Sequence, residues 1–261
     1  MSTEWTGYLG AMILALVRMS GMAAFAPFFS SAALPGRTKA VLACAIVFLL
    51  APSITTLPRP HADLSCLALL GEAAVGMVYG LTLALLNEMM LFAGQILGIQ
   101  FSFSMVNLLD PTSSIQTSLM SDLLQMLGTL VLLAAGLDRI LLASMMRSFR
   151  AVPPGTFSMS TVTALAVVRA AGGVFLAAVE LAAPVLAATM LIEVAIALLS
   201  KLSPQLPVTA MSVPLKTLTG FAVLVACCAV WPRFIEVRFS GLLDLVERLM
   251  SAAPAGSGWG G

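Results

Sequence analysis

Apolar residues run along this chain in long blocks, separated by short polar or proline-marked breaks. Tyr8–Phe29 is the first block and is long enough to span a bilayer. Arg18 and Ser20-Gly21 interrupt it, and Pro27 marks its end. Ala40–Leu57 is shorter and is closed by Pro58, Arg59 and Pro60. Leu64–Phe101 continues for about 38 residues without a proline; as one helix it would measure about 57 Å, against a hydrocarbon core of about 30 Å. Leu119–Met146, Thr161–Leu199 and Val208–Trp231 follow, making about six apolar segments. Phe234–Met250 reads as an amphipathic tail, and the Gly/Ser/Ala/Pro-rich residues 251–261 are expected to be disordered. The pattern predicts an all-α, polytopic helical membrane protein: one helical domain over residues 1–232, then an amphipathic helix over 233–250.

Composition supports that class. The chain is 60% hydrophobic and only 10% charged, where soluble domains carry roughly 25% charged residues and about half apolar ones. A net charge of +1 offers no basic field for nucleic acid. The N-terminus opens with an acid, and Arg18 sits within its apolar block, so that block is expected to be a retained helix rather than a signal peptide. Cys44, Cys66, Cys227 and Cys228 lack CxxC spacing and are expected to be buried small hydrophobes. On a six-span reading, Arg59, Arg139, Arg147, Arg150, Arg233, Arg238 and Arg248 share one side, and Arg37, Lys39 and Lys201 the other. The positive-inside rule then puts the termini in the cytoplasm.

Charge inside the apolar blocks changes the picture. Arg18, Glu72, Glu88, Asp138, Arg139, Arg169, Glu180, Glu193 and Lys216 all fall within them. A charge at the centre of a lipid-facing helix costs about 2.5–3.5 kcal/mol on insertion scales. These side chains must therefore face protein, face water, or lie beyond the bilayer. In Leu64–Phe101, Gly76, Gly80, Asn87, Gly94 and Gly98 fall within about 40° of one another on a helix, with Glu72 close by. Such a stripe allows close backbone approach, either between helices of this chain or to another subunit.

The stretch Phe101–Ser118, FSFSMVNLLDPTSSIQTS, departs furthest from the apolar pattern. It has a single charge, many hydroxyl side chains and an Asp110-Pro111 break, where the residue before proline is pushed out of helical conformation. Between two apolar blocks, a polar non-helical segment must leave the bilayer or be enclosed by protein or a water-filled space. Its interleaved Phe101, Phe103, Met105 and Val106 with serines can close a channel by dewetting, without an ionic lock.

Enzyme chemistry has little to stand on. His61, the one histidine, lies in a proline-rich loop and reads as a solvated residue; HExxH, GxSxG and Walker A patterns are absent. Glu72 and Glu88 are proton-relay candidates of a small-solute transporter, yet they stand about 160° apart on a helix. Structural pairing with a partner's Lys or Arg is the stronger reading for them. No cofactor or metal site is expected.

Several motifs together resemble the FliR family of export-gate proteins, whose injectisome counterpart is SctT. They are Arg18-x-x-Gly21 with Pro27, Pro35 and Lys39; Gly71-Glu72 leading into the glycine stripe; AGQILGIQFSFSMVNLLDP at Ala93–Pro111; and LLSKLSPQLPV…VPLKTLTG at Leu198–Gly220. The resemblance implies a non-enzymatic subunit of the type III export gate, built of helical hairpins lying partly above the inner membrane. It implies assembly with FliP-like and FliQ-like subunits, contact with an FlhB-like switch protein, and passage of unfolded substrates. The segment Phe101, Phe103, Met105, Val106, Asn107, Asp110 and Pro111 corresponds to a pore plug. Lys201, Ser203, Pro204, Gln205, Pro214 and Lys216 correspond to a late family motif, although Lys201 stands where arginine is expected and replaces a planar fork by a point charge. A flagellar gate, an injectisome gate and a small-solute secondary transporter are the alternatives; the last predicts an internal repeat, and none is evident.

Overall fold

The computed structural model describes residues 2–25, 37–38, 41, 44–49, 65–101, 119–157, 161–202 and 208–252. Seven of its helices are labelled here: α1 (Ser2–Phe25), α2 (Cys66–Gln100), α3 (Leu119–Ala134), α4 (Leu137–Ala151), α5 (Thr161–Leu202), α6 (Val208–Cys227) and α7 (Trp231–Ala252). Residues 44–49 are helical as well, and no strand occurs among the described residues. The all-α class expected from the apolar blocks is what the chain adopts.

The two longest blocks are each one helix. α2 has 35 residues and α5 has 42, the latter running on through Pro184. Both are long and apolar enough to cross a membrane; among the described residues there are two such helices, or up to four spans if each of the bent pairs, α3 with α4 and α6 with α7, is one span. Much of the second apolar block lies outside the described residues.

Two boundaries differ from the sequence reading. The block Leu119–Met146 is not one helix but two, divided at Gly136, whose φ of 65° is left-handed. Glycine adopts that conformation without a Cβ clash and ends α3, while its carbonyl accepts the Arg139 N–H at 3.1 Å to start α4. The block Val208–Trp231 stops at Cys227; a turn over residues 228–230 follows, and Trp231 opens α7.

The chain forms two compact units, and α2, α5 and α7 each contribute to both. The first holds residues 1–85, 136–171 and 239–261. Its core is Leu14, Met19 and Met22 of α1, Val75 and Tyr79 of α2, Met145 and Phe149 of α4, and Phe239 and Leu243 of α7. The second unit holds residues 86–135 and 172–238. Leu86, Met90 and Leu97 of α2, Leu124 of α3 and Leu181 and Val185 of α5 are buried in it.

Cysteine placement corrects one expectation. Cys44 and Cys66 are exposed and Cys227 and Cys228 half-buried, all as free thiols. Apolar neighbours did not settle which way they face: Phe48, Leu49 and Leu67 beside them are also exposed, each above 70%. In a helix the face, not the local composition, decides burial.

Candidate functional site

Two helices approach closely enough in the first unit to bury a charge. Gly76 and Gly80 of α2 lie against α1: a methyl at Gly76 would overlap the Arg18 carbonyl, and one at Gly80 would stand 2.5 Å from the Met22 carbonyl. Gly21 of α1 returns the contact, its missing Cβ only 2.8 Å from the Ala73 carbonyl. With backbones this close, the side chains one turn along must interlock. Arg18 and Glu72 do so, and both are 0% exposed.

The pair is bidentate. Arg18 Nε donates to Glu72 Oε2 at 2.5 Å and Nη2 to Oε1 at 3.0 Å. The guanidinium also donates through Nη1 to Ser148 Oγ at 3.2 Å and through Nη2 to the Val152 carbonyl at 3.2 Å. Val152 follows the last residue of α4, where carbonyls have no partner within the helix, so the arginine satisfies a group the helix leaves open. The Phe149 ring lies under the guanidinium, 4.3 Å from its carbon to the ring centroid.

Glu72 is held from the other side by a turn. Pro153-Pro154-Gly155 closes with the Thr156 N–H donating to the Pro153 carbonyl at 3.2 Å, and Gly155 has φ 84°. Proline at the second position and a left-handed glycine at the third are the residues of a type II turn. The turn presents the Gly155 N–H to Glu72 Oε1 at 2.8 Å. The charge therefore ties three elements: α1, α2, and α4 with the turn after it.

A second polar set lies along α4 in the same unit. Ser144 Oγ donates to Glu247 Oε1 at 2.6 Å, and Arg147 Nη2 donates to the same oxygen at 2.5 Å. This contact joins α4 to α7.

In the second unit, Phe101 closes α2. It is 3% exposed, and its ring stacks on Phe221 of α6 with centroids 4.8 Å apart and planes 5° from parallel. Gly220 admits the ring, since any Cβ there would collide with it. Gly94 packs against the backbone of Ser121 in α3, and Ser121 Oγ donates to the Leu91 carbonyl at 3.2 Å. Gly98 is buried, and Asn87 is half-buried. Lys216 of α6 pairs with Glu193 of α5, and Arg238 of α7 pairs with Glu180 of α5. Pro214 lies within α6, and Lys201 is exposed at the end of α5. Phe103, Met105, Val106, Asn107, Asp110, Pro111, Ser203, Pro204, Gln205 and His61 lie outside the described residues.

Glu72 therefore finds its partner within the chain, where the sequence pointed to a partner subunit. Glu88 is exposed. Ser148, Val152 and Gly155 were invisible as partners, because their contribution is a backbone group or a small hydroxyl. Nothing local shows where the Pro153-Pro154-Gly155 turn aims its N–H. Phe221 gave no local signal, and nothing local tied Gly220 to Phe101, more than a hundred positions away. Among the described residues no three His, Cys, Asp or Glu side chains come together as metal ligands.

Comparison with known proteins follows the same lines. The family described as bacterial export proteins, family 1, matches residues 9–242. The flagellar biosynthetic protein FliR of Escherichia coli K12 is 26% identical over 254 residues, covering 97% of each chain. That of Caulobacter vibrioides is 26% identical over 253 residues, covering 94% of this chain and 98% of its own. That of Bacillus subtilis 168 is 24% identical over 247 residues, covering 92% and 95%. The matched range contains Arg18, Glu72, Gly76 and Phe101, and the chain belongs to the bacterial export proteins of family 1, the FliR family.

Proposed function

We propose that this chain is a non-enzymatic subunit of a flagellar type III protein-export gate, building part of the channel and closing it with the segment Phe101–Ser118. The observation that carries the reading is the family match over residues 9–242, together with relatives that carry a flagellar name. The chain sits in the bacterial inner membrane at the flagellar basal body, with part of the assembly above the membrane plane. FliP-like and FliQ-like subunits and an FlhB-like switch protein are its partners. Large apolar side chains left open, such as Leu191 at 71% and Leu202 at 80%, support a chain that completes its surface with lipid and other helices.

The plug follows from chemistry at its root. A closing segment must move without dragging its supports, so one end needs a firm anchor. Phe101, buried and stacked on Phe221, supplies that anchor where α2 ends. Beyond it the sequence offers apolar side chains to exclude water and serines to keep the contact weak. Deleting Met105–Ser114 is expected to leave assembly intact and make cells leaky to ions, measured as conductance across the inner membrane. Unchanged conductance in cells carrying the assembled deletion complex overturns the plug. Co-expression with FliP-like and FliQ-like proteins, followed by native mass measurement, tests the subunit role; recovery of this chain from that co-expression without either partner overturns it.

A further inference from the structure

α4 by itself is too short to cross a membrane. Its 15 residues reach about 22 Å at 1.5 Å per residue, short of the roughly 30 Å hydrocarbon core. One side of it is consumed by the first unit, where Leu141, Met145 and Phe149 are buried and Ser144 and Ser148 make the bonds described above. The opposite side carries Arg139, Arg147 and Arg150, all exposed. At 100° per residue the three fall within an arc of about 80°. Ile140 and Leu142, 45% and 36% exposed, flank that arc, and Met146 lies beside it half-buried.

Among the described residues Arg139 and Arg150 make no ion pair, and Arg147, 58% exposed, shares Glu247 with Ser144. On α7, the exposed Asp244 and Arg248 offset each other. The outward face of α4 is thus cationic with apolar shoulders, in a chain whose α2 and α5 are long and apolar enough to span.

We infer that this face binds the headgroups of anionic phospholipids at the membrane surface. Guanidinium forks match phosphate geometry, and Ile140 and Leu142 sit where shoulders of such a face reach the acyl boundary. A purely hydrated face would gain nothing from those two exposed aliphatic side chains. An anionic membrane surface accommodates both features, because long basic side chains lie along apolar surface while their heads remain at the phosphates. The inference stands on α4 itself and is independent of the plug.

The test uses the purified full-length chain in detergent, titrated with phosphatidylglycerol and separately with phosphatidylcholine, with bound lipid counted by native mass spectrometry. The wild type is expected to prefer phosphatidylglycerol, and to lose that preference at high salt. The double variant Arg139→Gln/Arg150→Gln spares the Arg147–Glu247 contact; it is expected to weaken phosphatidylglycerol binding about 25-fold, at about fivefold for each arginine. Phosphatidylcholine binding is expected to stay the same, as is phosphatidylglycerol binding by Arg233→Gln, a residue of the other unit. Arg139→Lys/Arg150→Lys keeps the charge and is expected to retain most of the preference, so the inference remains testable if the glutamine variant does not fold. Equal binding of the two lipids by the wild type overturns it, as does undiminished phosphatidylglycerol binding by the glutamine variant. Retention of an acidic protein that depends on Arg139 and Arg150, with lipid selectivity that does not, overturns it in favour of a protein-facing surface.

Discussion

Arg18 meets Glu72 in the first unit with neither side chain exposed, whereas in the second unit Lys216 meets Glu193 with half of the carboxylate open. The formal charges are the same, but the cation and the surroundings are not. The buried carboxylate is held by two guanidinium bonds and a backbone N–H, and the guanidinium by a hydroxyl and a carbonyl besides. The open pair is a single contact between α5 and α6. A buried charge must have nearly all of its hydrogen bonds made, because each missing one is a desolvation penalty left standing. An open pair is under no such demand, and contributes correspondingly little. Charges inside the apolar blocks are thus not one class: some organise a core and others lie on a surface.

The largest expected effect comes from breaking the buried pair. Arg18→Ala leaves Glu72 buried without its counter-charge and opens the Val152 carbonyl; a loss of about 3–5 kcal/mol is expected, read from unfolding of the purified protein in detergent or from failure to accumulate in the membrane. Arg18→Lys is expected to lose about half as much, since one ammonium cannot span both Glu72 oxygens and also reach Val152.

Phe101→Ala tests the anchor of the second unit. Removing a buried ring stacked on Phe221 is expected to lose about 3 kcal/mol. If the ring anchors the closing segment, the same variant gives an ion leak when assembled, whereas Phe221→Leu gives a smaller one.

Gly76→Ala tests whether the close approach of α1 and α2 is what permits the buried pair. The added methyl overlaps the Arg18 carbonyl, which is backbone and cannot swing aside, so about 1–3 kcal/mol is expected to be lost. A neutral outcome would mean that the two helices separate without disturbing the pair. The smallest effect belongs to the open contact. Lys216→Ala is expected to change stability by less than about 1 kcal/mol, and a double-mutant cycle with Glu193→Ala to show weak coupling. The same cycle on Arg18 and Glu72 is expected to show coupling several times larger.

Much of this was legible in the residues. Long apolar blocks gave α2 and α5 nearly to the residue, α5 in spite of its internal Pro184, because helix is the one way a single long apolar segment satisfies its own backbone in lipid. The glycine spacing marked a close-packed face, and Arg18 and Glu72 stood out as charges that could not be left alone. The division at Gly136 was missed because a glycine in an apolar run reads equally well as packing or as a helix end. The direction in which Cys44 and Cys66 face was missed because composition carries no azimuth.

The order of residues sets the helical class, the family, the positions that need special backbone or small size, and the need of any buried charge for a partner. Tertiary structure alone decided who that partner is. Arg18 and Glu72 are 54 positions apart, and Ser148 and Val152 lie 130 and 134 positions from Arg18. Spacing along a chain fixes which side chains share a helical face, through the constant rotation per residue. It does not fix which face meets which, because that choice belongs to the packing of whole helices and to the turn that Gly155 completes.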